Sequence, residues 1–415
     1  MIKLDIDGID LELHWNYFRG PILKALEWLA SAPHPEELVV VKKRSDGHVD
    51  EHWSPEGAIG NPHPRAYMQL LCEEFSSMQY PMMVDDMLEL IRKDQAFRIT
   101  HGWKRLDRLG VHTRTPSEMK ACQKCLMQIF SYEAFSASHR LEWCDKQHAL
   151  TVLDVPEDGK WGAYEFIDAL CSANSLSFCP YCNSETVYAV STDEDFGRIR
   201  VDIDHFFPRW KYPYLALCIC NLVPSCTRCN SRLKRDMDVV LHKHPKRKRN
   251  TYDENLVLTG CPNLVLSNPY RDSLHYSTRF EIEDVSLDLL LGCERVEVPQ
   301  LDCFVTADDI GARCAESVKR FRLKSVYRRI YGRELKEMPT RIAIAMSDYP
   351  EIIASVIKKW SGSRISVGSE QYCHSAIRRF LLNGSLCADE INNERLGKLK
   401  LDIYEQLCGL LGETY

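Results

Sequence analysis

One stretch decides the fold: Cys179-Pro-Tyr-Cys182, then Arg198-Ile-Arg-Val-Asp-Ile-Asp-His205-Phe-Phe-Pro208, then Asn221-Leu-Val-Pro-Ser-Cys226-Thr-Arg-Cys229-Asn230-Ser-Arg-Leu-Lys234. Two CxxC pairs separated by 43 residues suit a tetrahedral zinc site of four thiolates, Cys179, Cys182, Cys226 and Cys229. Between them, Arg198–His205 alternates as a strand, with Ile199, Val201 and Ile203 on one face and Arg200, Asp202 and Asp204 on the other. The order is strand, loop, strand, helix. A base that is neutral near pH 7, His205, lies beside a carboxylate, and Asn230 opens the helix. Such a set suits phosphodiester hydrolysis. An imidazole takes a proton from water, a hard cation takes oxygen ligands, and the cation stabilises charge on the phosphate. An Asn that bonds to the imidazole fixes its tautomer.

In residue type and order this string resembles the zinc-bearing HNH endonucleases, also called His-Me finger or ββα-metal nucleases, over about 60 residues. The resemblance implies His205 as general base, Asp204 and Asn230 as ligands of one catalytic Mg2+ or Mn2+, and Asn221 as the residue that orients His205. It implies the four cysteines as structural zinc ligands and Lys234 as a phosphate contact. The third position of the pattern is Asn rather than His, which keeps the metal a hard cation. A shorter string, Asn268-Pro-Tyr-Arg-Asp272-x2-His275, resembles an element that follows the HNH core in bacterial anti-phage nucleases, including the Septu-associated type. That implies a defence role and an ATPase-type protein partner, or an oligomer. Nothing in the chain resembles a Walker A loop that would supply the ATPase.

Charge agrees with a nucleic-acid substrate. The 415 residues carry a formal net charge of −6, yet Phe196–Asn250 holds 13 Lys/Arg against 4 Asp, a local balance of +9. A basic island in an acidic chain is a phosphate footprint. Arg209, Arg228 and Arg232 are the other expected phosphate contacts. Trp210, Tyr212 and Tyr214 either stack on bases or pack the loop. Asp202 is either a support for the metal or a surface partner. A second basic stretch, Arg313–Arg333, reads as an amphipathic helix whose charges face DNA or water.

Composition rules out disorder, collagen and coiled coil, with 45% apolar and 27% charged residues. The first residues lack the apolar core of a signal peptide, and no apolar run is long enough for a membrane. The chain is therefore expected in the cytoplasm, where its 18 cysteines stay reduced and serve as metal ligands, buried small apolar groups or reactive thiols. Cys218 and Cys220 read as strand core. Cys122-Gln-Lys-Cys125, with His112, His139, Cys144 or His148, is a possible second metal site. The other cysteines read as buried apolar positions.

Outward from the core, the chain reads as α+β and mostly helical: a mixed region 1–170, the ββα core 171–250 and a mostly helical region 251–415. A hairpin is expected at Ile2–Leu13 around Asp7-Gly8, a helix from Pro21, a second hairpin over Glu37–Trp53, and helical pattern from Pro64 to Gln95 broken at Tyr80-Pro81. Thr115-Pro-Ser-Glu118 caps another helix, Ala163–Ala173 is a shorter one, and Tyr276–Ile282 reads as a strand. The leading reading is a metal-dependent DNA endonuclease of low sequence specificity, gated by its flanking regions. An RNA (tRNA) nuclease with the same site, or a non-catalytic zinc module that binds nucleic acid or a partner, are the alternatives.

Overall fold

The computed structural model describes residues 3–43, 49–103, 117–156, 159–191, 198–241, 263–272, 276–281, 300–305, 309–327, 364–367 and 370–373. The architecture is α+β, with helices around small sheets. Helix α1 (Gly20–Ser31) starts on Pro21, whose missing N–H is tolerated in a first turn. It buries Ile22, Ala25, Leu26 and Leu29, the i, i+3, i+4, i+7 stripe its sequence carries. Helices α2 (Pro62–Ser77) and α3 (Val84–Thr100) flank Tyr80-Pro81. Then come α4 (Ser117–Ile129), α5 (Tyr132–Ser136) and α6 (Ala163–Ala173).

Strands β1 (Val39–Lys43), β2 (Val49–Trp53), β3 (Arg140–Cys144) and β4 (Ala149–Leu153) form one sheet in the order β2-β1-β4-β3. The β1–β2 hairpin is the one read at Glu37–Trp53, whereas β3–β4 carries no Gly or Asn-Gly at its turn. There His148 supplies the left-handed residue, φ 48°, a poor signal in sequence.

Three expectations are corrected. Ile2–Leu13 is not a hairpin. Asp7-Gly8 does turn, with Gly8 at φ 83°, but helix begins at Glu12. The extended arm bonds elsewhere: Leu4 N–H donates to Pro269 O at 2.8 Å, and Asp5 exchanges hydrogen bonds with the Asn174 amide at 2.7 Å each. Tertiary partners outcompete the local return strand. Arg198–His205 is not one strand either. It splits at Val201 into β6 (Arg198–Arg200), paired with β5 (Ala189–Ser191), and β7 (Asp202–His205), paired with β8 (Leu222–Ser225). Facing is lost with the split: Ile199 is exposed and Asp204 buried. In the region expected to be helical, Arg364–Val367 and Glu370–Cys373 form an antiparallel hairpin. Its alternating Ile365, Val367 and Tyr372 favour strand. The strand read at Tyr276–Ile282 is present as Tyr276–Glu281, paired with Gln300–Val305.

Helix α7 (Asp309–Arg320) is followed by a turn at Phe321-Arg322 (Arg322 φ 52°), after which residues 323–327 are helical again. Its Val318, Phe321, Leu323 and Tyr327 are buried, and Lys319 faces solvent. A single hydrophobic cluster runs from Leu4 through Phe206 and Tyr214 to Tyr327. No helix among the described residues is long and apolar enough to cross a membrane.

Candidate metal centre and active site

Cys179 and Cys182 sit on a tight turn. Cys182 N–H and Asn183 N–H donate to Cys179 O at 3.2 and 2.7 Å, and Asn183 takes φ 49° to close it. Cys226 and Cys229 bracket the start of a π-helical turn, Arg228–Lys234, where Asn230 N–H donates to Cys226 O at 3.0 Å. All four thiols are buried, and their Sγ atoms lie within 4.8 Å of one another. Cys182 and Cys226 sulfurs are 3.9 Å apart. Tetrahedral Zn–S bonds of about 2.3 Å place ligand sulfurs roughly 3.8 Å apart, so the cluster fits zinc. Hydrogen bonds from the neighbouring thiols, led by Cys179, hold the Cys182 thiol well below its ordinary pKa. Arg228 stands at the rim, donating to Ser184 Oγ at 2.6 Å and Glu185 at 3.0 Å. Ser184 Oγ in turn donates to Cys182 Sγ at 3.2 Å. Arg228, expected on phosphate, is thus committed to the knuckle. Its positive charge complements a four-thiolate zinc centre.

His205 ends β7, opposite Leu222 in register. Its Nε2 lies 3.1 Å from Ala216 O. A carbonyl only accepts, so Nε2 carries the proton and the Nδ1 lone pair is left to act as a base. Burial, then the Arg209 and Lys234 charges, lower the pKa to about 3 against the Ala216 bond, so the ring is neutral at physiological pH. The edge of the imidazole meets Tyr132 of α5, 4.5 Å between centroids at 74°.

Asn221 does not bond to that imidazole. Its Oδ1 accepts from Phe207 N–H at 2.6 Å, and its Nδ2 donates to Phe207 O at 3.2 Å and Leu215 O at 2.8 Å. The expected contact is replaced by a clamp on the loop whose Ala216 carbonyl holds His205. The next carbonyl, Leu217 O, takes a bond from buried His14 Nε2 at 2.8 Å. Two imidazoles, one from the N-terminal region, therefore fix adjacent carbonyls of one loop.

Asp204 is buried. Its Oδ1 is 3.0 Å from the Lys234 ammonium and its Oδ2 accepts from Tyr181 OH at 2.6 Å. Lys234 also donates to His205 O at 2.9 Å. Lys234 is therefore a buried ion-pair partner, not an exposed phosphate contact. Asn230 is half-buried on the same helical turn. A Mg2+ ion needs oxygens at about 2.0–2.1 Å with near-octahedral access. Both Asp204 oxygens are already engaged, so the residues as arranged do not fit Mg2+ or Mn2+. Among the described residues the only His/Cys/Asp/Glu cluster able to hold a metal is the four cysteines.

Arg209 pairs with Glu133 at 2.6 Å and lies over the Tyr132 ring, beside His205. Arg232 is exposed. Trp210 is half-exposed, whereas Tyr212 and Tyr214 are buried, so packing claims two of the three loop aromatics. Asp202 is exposed and accepts from Thr227 Oγ1 at 3.1 Å. Cys122 and Cys125 face the core from α4, burial pushes both thiols up, and they join no metal cluster. His139 pairs with Asp154, and His148 stacks on Trp28; His112 lies outside the described residues. Cys218 and Cys220 are core thiols against Met82 and Met83.

Three contributors were not singled out from sequence: Tyr132, Tyr181 and His14. Tyr181, inside the first CxxC, was the most accessible, since its position ties it to the knuckle. Tyr132 and His14 lie more than 70 residues upstream of His205 and carry no local signal. Tyr270, in the Asn-Pro-Tyr-Arg-Asp string, donates to Leu222 O at 2.6 Å, while Asp272 bonds Asn268 N–H at 2.9 Å and Arg313 at 3.0 Å. That string knits β8 to α7; its His275 lies outside the described residues. No family model matches the chain, nor does any curated protein or solved structure.

Proposed function

We propose that the chain is a zinc-clamped phosphodiester hydrolase of the ββα type, acting on DNA with His205 as general base. One observation carries this reading: a neutral imidazole whose tautomer is set by Ala216 O, at the end of β7, whose antiparallel partner β8 leads into the Cys226–Cys229 pair of the four-cysteine cluster. Zinc, bound by Cys179, Cys182, Cys226 and Cys229, holds the two halves of the core together and has no open position for substrate. His205 Nδ1 accepts the proton of the attacking water. Arg209 and Arg232 contact backbone phosphates, and Trp210 offers a face to a base. Because the arrangement at Asp204 does not fit a divalent cation, no step is routed through one. The Asn268–Asp272 string and the flanking regions are proposed to serve a partner in phage defence.

Supercoiled plasmid is the direct test. His205→Ala is expected to nick about 10²–10⁴-fold more slowly than wild type. Equal rates would remove His205 from the reaction. Matched DNA and RNA pools decide the polymer. The non-catalytic reading draws on the Asp204–Lys234 pair, which occupies the carboxylate that the resemblance assigns to the catalytic cation. A mobility shift without cutting under any divalent ion would favour it.

A further inference from the structure

We infer that Lys234 is the resident counter-ion of Asp204 and closes that carboxylate to hard divalent cations. The ammonium has two acceptors, Asp204 Oδ1 at 3.0 Å and His205 O at 2.9 Å, and its side chain is 0% exposed. The second carboxylate oxygen is taken by Tyr181 OH at 2.6 Å. Tyr181 cannot swing away freely. Its ring stacks on Phe321 at 4.6 Å and 14°, and Tyr327 OH donates to Cys182 O at 3.0 Å on the same knuckle. The carboxylate charge is thus already neutralised, away from water, by a group tethered to β7 itself. A divalent ion entering there would have to expel the ammonium from both acceptors into an apolar surround that includes the Phe206 ring, 6.0 Å from Nζ. Removal of the ammonium leaves a buried, unpaired carboxylate, which is a strong ligand for a hard cation.

The inference goes beyond the proposed reading and does not require that the chain cut anything, since its readout is cation binding. Zinc-loaded full-length protein is titrated with Mn2+, and free Mn2+ is followed by electron paramagnetic resonance. Asp204→Asn is expected to leave the wild-type isotherm unchanged. Lys234→Met is expected to gain one Mn2+ site at least about tenfold tighter than any in wild type, abolished by adding Asp204→Asn. A wild-type Mn2+ site that disappears in Asp204→Asn overturns the inference, and so does a folded Lys234→Met that gains none. In thermal melts, a saturable Mn2+-induced rise of the wild-type midpoint that disappears in Asp204→Asn overturns it as well, and equal Mn2+ responses of the two proteins support it.

Discussion

Asp204 and His205 are chain neighbours with opposite fates. The carboxylate is buried in an ion pair, and the imidazole is stripped of charge, with Nε2 on Ala216 O and the lone pair on Nδ1. Asn221 illustrates how a residue acts through others. Truncation to Ala would leave the Phe207 N–H and C=O without partners, at about 1–3 kcal/mol each before relaxation, while Leu215 O keeps the Cys218 N–H at 3.2 Å. We expect Asn221→Ala to lose about 3 kcal/mol in urea unfolding and to lower cleavage as Ala216 O drifts; unchanged stability would refute the clamp. His14 gives a pH signature. Burial holds its pKa at about 4 against a backbone bond to Leu217, below the ordinary 6.5. The unfolded chain therefore binds the extra proton between those values. Stability is full above about pH 6.5 and falls towards pH 4, by at most about 3 kcal/mol from this group. His14→Gln should reduce that slope in denaturant titrations, leaving the part that His205 contributes over the same window, and an unaltered slope would count against it.

At the scale of elements, β7, β8 and the turn Arg228–Lys234 are too short to be stable alone. Strand pairing joins β7 to β8, and the proposed zinc would tie the end of β8 and this turn to the Cys179–Cys182 turn. Structural zinc is worth about 10–16 kcal/mol in small peptides, as much as the stability of a typical whole domain, about 5–15 kcal/mol. Chelation or Cys179→Ser is therefore expected to unfold the β7–β8 core, read as loss of hydrogen-exchange protection at Ile203 and Val223. Protection that survived zinc removal would show that the cluster is dispensable. The legible elements were those with strong local signals: α1 with its stripe and Pro21, α6, the β1–β2 hairpin and the CxxC pairs. The illegible ones depend on partners far away. Val201 breaks a well-alternating strand because β5 and β8 claim its two halves, and Leu4 and Asp5 bond to Pro269 and Asn174 instead of to a return strand of their own.

Across the whole molecule, the core segment is not a self-contained unit. Leu217 is held by His14, Leu222 by Tyr270, Tyr181 by Phe321 and His205 by Tyr132. Residues 171–250 alone are therefore expected not to fold with zinc, judged by amide dispersion in NMR, although the full chain does. A well-dispersed zinc-bound fragment would contradict the continuity of the core. The +9 segment also changes character in three dimensions: Lys234 and Arg228 face inward to a carboxylate and a thiol cluster, while Arg232 remains exposed.

The sequence by itself determined the covalent pattern that spacing encodes: the four cysteines, the strand ending in Asp204-His205, the helix-forming run after Cys229, and the stripes of α1 and α6. Those are local or rest on chemistry indifferent to the rest of the chain. Only the tertiary structure decided which groups face each other. It gave Asn221 to the loop instead of the imidazole, Lys234 to Asp204 instead of phosphate, and Tyr132 and His14 to the candidate active site. The physical reason is that burial turns each polar group into an obligation, and the partner that meets it is set by packing across the core, which no spacing in the chain records.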